Sequence, residues 1–172
     1  MSFQEIDIKD IKENPWKMIG DDWMLVAAER NGQVNAMTAS WGGVGILWGK
    51  AVATIYLRPQ RYTKEFVDAG ERFTLSFFGG REKKAMGYLG RVSGRDEPDK
   101  IEKTELHVRE IGGAPAFEEA ELVLVCRKMY AQEMKPECFL ASGEIEKWYP
   151  DRDFHTMYIA EIEKGYRNRQ KS

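Results

Sequence analysis

At 172 residues, 42% of them hydrophobic and 31% charged, the chain can bury a core without metals or disulfides and lacks the composition of a disordered protein. A formal net charge of −2 leaves no electrostatic footprint for nucleic acid on the whole-chain scale. No apolar run reaches membrane-spanning length, the stretch from Met1 to Lys9 carries acidic residues and no hydrophobic signal core, and Cys126 and Cys138 form no CxxC; a reducing cytosol is the expected compartment.

In chain order, Trp23 to Ala28 and Gln33 to Ala39 read as strands on either side of Glu29-Arg30-Asn31-Gly32, because Asn-Gly readily supplies the positive φ of a hairpin turn. Ala51 to Arg58 predicts a third strand, with Thr54 and Tyr56 on one face and Ala53, Ile55 and Leu57 on the other. Thr63 to Ala69 predicts a helix started by the Thr63 hydroxyl and stopped at Gly70. In Arg72 to Phe78, Phe73, Leu75 and Phe77 alternate with Thr74 and Ser76, a strand pattern; Arg81 to Leu89 follows as a helix closed by Gly90. Pro98 to Glu105 predicts a third helix, with proline near its start. Leu106 to Glu110, Ala120 to Ala131 and His155 to Lys164 complete the strands, and Cys126 reads as a small buried thiol within the second of these. Arg167, Arg169 and Lys171 read as a solvated basic tail. Many strands with few inserted helices argue for a mainly β, antiparallel barrel or sandwich, organised as one domain over 1–172.

Several kinds of chemistry drop out. His107 and His155 have no metal-ligand spacing partner. In the glycine cluster Gly42 to Gly49, Trp48 stands where a dinucleotide fingerprint needs its third glycine, and no phosphate-binding GxxxxGK[ST] occurs. What remains is chemistry brought by a bound organic cofactor.

Four runs could serve one. Asn35 to Gly43 begins as a strand and ends in small and hydroxyl residues, so its backbone amides, with Thr38 and Ser40, could approach a flat polar-edged ring; it also suits a plain strand entering a glycine loop. Leu57-Arg58-Pro59-Gln60-Arg61-Tyr62-Thr63 joins a strand to a helix start and brings two guanidinium groups to that helix end. Those groups suit a phosphate, and equally a solvated basic loop. Ser93 to Lys100 is a polar loop of turn formers, and His155 opens the last strong strand, where a structural role is as open as a catalytic one.

In this order and spacing, the runs resemble the flavin reductase-like family, whose fold is the FMN-binding split barrel, over Trp23 to Lys164. The resemblance implies a homodimer with FMN near the interface and its ring against Thr38, Ala39, Ser40 and the adjoining Trp41. It implies Arg58, Arg61, Tyr62 and Thr63 around the phosphate and ribityl chain, Phe77 and Phe78 near the pocket, and Ser93, Arg95 and Lys100 from a nearby loop. His155 matches a histidine that faces the flavin or the nicotinamide. The implied activity is that of an oxidoreductase taking hydride from NADH or NADPH onto flavin and passing electrons to free flavin or another acceptor. A flavoredoxin-like electron carrier, reduced by a partner protein, is the alternative. Trp41, the Gly42 to Gly49 segment, Arg61 and Tyr62 depart from the best-known reductases.

Overall fold

The computed structural model describes residues 3–170. β2 (Met24–Arg30) and β3 (Gln33–Ala39) pair in register from Met24 with Ala39 to Arg30 with Gln33, which leaves Asn31 and Gly32 as a two-residue turn. Both take positive φ, 53° and 78°, the turn geometry whose twist matches the flanking strands. The same geometry joins β4 (Gly42–Leu47) to β5 (Lys50–Leu57), with Trp48 at φ 50° ahead of Gly49. The segment read as a glycine loop is therefore a strand.

The chain continues through α1 (Tyr62–Ala69), β6 (Arg72–Phe77), α2 (Lys83–Arg91) and the hairpin of β7 (Val108–Ile111) and β8 (Ala114–Phe117). Long β9 (Leu122–Glu133), short α3 (Glu144–Trp148) and long β10 (Thr156–Asn168) follow, while β1 (Phe3–Ile6) pairs with the far end of β10. The main sheet runs β3-β2-β6-β9-β10-β5-β4, antiparallel throughout. Its two outermost strands are consecutive in the chain, joined only by Ser40 and Trp41. The sheet must curl until its edges meet at that corner, yet among the described residues no ladder joins β3 to β4. The result is an antiparallel barrel split along one seam.

Alternation fills the inside. Met24 and Val26, Ile55 and Leu57, Phe73 and Leu75, Leu124 and Cys126, and Tyr158 and Ile162 all pack into one interior cluster, each large side chain contributing about 1.5–3 kcal/mol by leaving water. Burial pushes the Cys126 thiol far up, so it stays an inert core group. Leu25, Ala27 and Val123 point outward, but α2 and the β7–β8 hairpin cover them with Met86, Leu89 and Phe117. The polar face of β6 is buried as well: Thr74 donates to the Pro115 carbonyl at 2.5 Å.

Four further expectations change. α2 runs through Gly90 to Arg91 and is capped at Val92 instead of closing at Gly90. α1 starts after Arg61, and the Thr63 hydroxyl accepts instead from Asn35 Nδ2 at 3.1 Å. Pro98 to Glu105 forms successive turns rather than a helix, because Lys100 is drawn inward to carbonyls at the end of α2. Arg167 lies within β10 and forks onto Glu13 at 2.6 and 3.0 Å, and Arg169 donates to Gln4, so these two are not a loose tail; Lys171 is outside the described residues. No helix among the described residues is long and apolar enough to cross a membrane.

Candidate functional site

β3 is an outermost strand, and α2 is fastened beside it. The Thr38 hydroxyl donates to the Met86 carbonyl at 2.5 Å. Gly90 allows this closeness, since a Cβ there would sit 3.2 Å from Cβ of Thr38. Beyond the helix, the end of β3 borders a cleft of about 320 Å³. Met37, Thr38, Ala39, Ser40 and Trp41 form one wall; Tyr56, Arg58 and Arg61 form another. Trp148 and His155 close it from the excursion between β9 and β10.

The two arginines have different employment. Arg58 binds Asp153 at 2.5 Å and donates to the Trp148 carbonyl at 2.7 Å, while Gln60 adds a 2.7 Å bond to the same Asp153 oxygen. Arg58 and Gln60 together hold the Asp153 carboxyl below its usual range. Arg58 is therefore a latch on the excursion. Arg61 donates to the Gly90 carbonyl at 2.7 Å, and buried Lys100 donates to Leu89 and Val92 carbonyls at 3.2 and 2.9 Å. Helix C-terminal carbonyls lack partners within the helix and welcome cations, which explains why both side chains turn there. Among the described residues neither has a carboxylate partner. Burial lowers both, and burial with the nearby Arg61 brings Lys100 to about 8. Two cations without carboxylate partners thus stand near one another at the end of α2, Arg61 on the cleft wall and Lys100 buried.

His155 is buried, with Nδ1 2.8 Å from the Tyr149 hydroxyl and its ring 5.3 Å from that of Trp41. Burial first, and Arg58 second, brings its pKa down to about 4, so it is neutral near pH 7. Trp148 meets Trp41 edge to face at 5.1 Å.

Seven of the sequence-derived candidates, Thr38, Ala39, Ser40, Trp41, Arg58, Arg61 and His155, come together in this cleft. Lys100 does not line it: it is buried at the end of α2, close enough to Arg61 to feel its charge. Tyr62 and Arg95 instead border a larger groove of about 1090 Å³ beside the start of β3, where Arg95 pairs with Glu65 and lies 4.9 Å over the Tyr62 ring. That groove is larger, but the one guanidinium on its wall, that of Arg95, is already paired with Glu65, which Arg30 shares. The Ser93 hydroxyl accepts from the Arg95 amide, and Thr63 is turned to Asn35. Phe77 packs inside the barrel and Phe78 against Phe117 under the outer hairpin, so neither lines the cleft: alternation sends one inward, and the outer layer takes the other. Tyr56, Trp148, Tyr149 and Asp153 were not singled out by the sequence. The only hint was Trp148-Tyr149 and Asp153 lying just ahead of His155.

A split antiparallel barrel with an aromatic, cationic cleft beside its open seam defines the class of protein. Within that class the chain belongs to the flavin reductase-like family: the model described as "Flavin reductase like domain" matches residues 19–172. Among solved structures it is similar to an FMN-binding domain of a flavin reductases-like enzyme from Shewanella baltica, at 17% identity over 98% of this chain and 78% of that one, with a TM-score of 0.71. A flavoredoxin from Methanosarcina acetivorans matches at 23% identity over 87% of this chain and 69% of that one, TM-score 0.64. An NADH:FAD oxidoreductase from Streptomyces globisporus, in complex with NAD and FAD fragments, matches at 16% identity over 88% and 77%, TM-score 0.64. No curated protein matches the sequence.

Proposed function

We propose that the cleft holds FMN and that the protein is a flavin reductase-type oxidoreductase, taking hydride from NADH or NADPH and passing electrons to free flavin or another acceptor. The observation that carries this reading is Arg61, a cation without a carboxylate partner on the wall of an aromatic slot, with the buried cation Lys100 close to it. A phosphomonoester supplies the missing negative charge, and the free edge of β3 from Thr38 to Ser40 offers backbone groups to a flat heterocycle. The residues present therefore fit FMN. Bound flavin supplies the two-electron chemistry. The chain's own part is to seat the phosphate on Arg61 with the charge of Lys100 close by, orient the ring against β3, exclude water with Trp41 and Trp148, and present His155.

Titration with FMN and riboflavin tests this. FMN should bind more tightly, and Arg61→Ala should cost FMN about 1.5–3 kcal/mol, the usual worth of a charge-assisted contact, while leaving riboflavin unchanged. Equal affinities of wild type for the two flavins would overturn the phosphate assignment.

A carrier reduced by a partner protein, as in a flavoredoxin, is the second reading. It is favoured by an apolar rim: Trp16 and Trp41 border one groove, Trp41 touches Trp148, and all three are exposed. Such a rim also suits a second copy of this chain, and we include a homodimer in the proposal. Stopped-flow reduction separates the readings: rapid bleaching of the flavin by NADH or NADPH supports the reductase, and none supports the carrier.

A further inference from the structure

The Tyr149 hydroxyl has one proton and two neighbours, His155 Nδ1 at 2.8 Å and Met134 Sδ at 3.6 Å. An imidazole nitrogen is a strong acceptor and a thioether sulfur a weak one, so the proton belongs on the line to Nδ1. Burial pushes the Tyr149 phenol up, against a smaller opposing effect of Arg58, so the hydroxyl keeps that proton. The ring is held in place from several sides: Phe154 at 4.9 Å, Phe139 at 5.8 Å and the Arg58 guanidinium at 5.2 Å. A neutral imidazole that accepts at Nδ1 must carry its own proton on Nε2, and that nitrogen has no partner among the described residues.

We infer that Tyr149 is a positioning residue that locks His155 in the Nε2–H form, so that the cleft presents one fixed, neutral donor. The matching ligand edge is an acceptor, a carbonyl oxygen or an imine-type nitrogen of a flat ring. Had the tyrosine proton gone to Met134, the same histidine would present an acceptor and select ligands with N–H edges. A neutral donor also leaves the ring's charge unaltered near pH 7, unlike an imidazolium. The tautomer is a property of the protein alone; only the identity of the ring rests on the flavin reading.

Nitrogen-15 NMR of the imidazoles in flavin-free protein tests it directly. The chain has two histidines, and His107→Gln assigns the other signal. Wild type is expected to show His155 protonated at Nε2, with Nδ1 as a hydrogen-bonded acceptor. Tyr149→Phe keeps the packed ring and should lose the hydrogen-bonded Nδ1 signature, and Met134→Leu should preserve the wild-type pattern. In flavin-loaded protein, Tyr149→Phe should slow single-turnover reduction about tenfold with FMN affinity retained, and should add little to the loss in His155→Ala. A wild-type Nδ1–H tautomer, a pattern lost in Met134→Leu, or rates that fall independently in the double variant would each overturn the assignment. Failure of FMN to bind would leave the NMR result standing, which separates this inference from the flavin assignment.

Discussion

Ser76 carries a hydroxyl that is buried and has no hydrogen-bond partner among the described residues. Its neighbour on the same strand face, Thr74, found the Pro115 carbonyl; Ser76 found nothing. A buried orphan hydroxyl costs its desolvation, so Ser76→Ala should stabilise the protein by about 1 kcal/mol, read as a raised denaturation midpoint. An unchanged or lowered midpoint would contradict this. His155 makes a different prediction at the same scale. Its folded pKa of about 4 lies below the ordinary 6.5, so the unfolded chain takes up the proton first as pH falls. The stability tied to its neutral form is complete above pH 6.5 and drains away down to pH 4. His107 works in the opposite sense, since Glu119 raises its pKa and its stabilisation grows as pH falls. Thermal midpoints measured in a His107→Gln background should therefore fall more steeply between pH 6.5 and 4 with His155 present than in His155→Asn. Parallel curves would remove the buried-imidazole account.

The excursion between β9 and β10 is held by Arg58, through Asp153 and the Trp148 carbonyl, and by a small aromatic cluster of Phe139, Tyr149 and Phe154. Its short helix α3 buries no residue. Removing the latch with Arg58→Ala should raise hydrogen exchange over 135–154 about tenfold, with a smaller loss of FMN-over-riboflavin preference than Arg61→Ala causes. An equal loss in both variants would return Arg58 to the phosphate. The sequence offered Arg58 and Arg61 as equivalents because a strand-to-helix loop with two arginines does not tell where a distant carboxylate sits; Asp153 is 95 residues away from Arg58 in the chain. The same limit explains other outcomes. Asn31-Gly32, the alternating β6 and the long β9 were readable because their signals are local. β4 was not: glycines at 42, 43 and 45 and an exposed Ile46 give no buried-face alternation, and a tryptophan at positive φ is a poor turn signal. Thr63 looked like a cap and Lys100 like one residue of a polar turn-forming loop, until Asn35 and the end of α2 claimed them.

On the scale of the molecule, exposed Trp41, Trp48 and Ile46 lie on or beside a barrel edge that no other strand covers. Unpaired edges with apolar side chains are usually buried in an assembly. Light scattering should report a dimer at micromolar concentration with FMN bound; a monomer would remove that part of the proposal. The barrel's wiring also sets the time at which it can exist at all. β10 is the last of the described strands in sequence, yet it lies between β9 and β5 and also receives β1, with Phe3 opposite Asn168. A ribosome that has delivered everything as far as β9 has made β2, β3 and β6 able to pair, but has left β5 with β4 as a detached hairpin and β1 with nothing to join. Closure must wait for residues 156–168, so every folding intermediate that lacks β10 carries open strand edges, and pairing with a neighbouring copy competes with folding until that strand is in place.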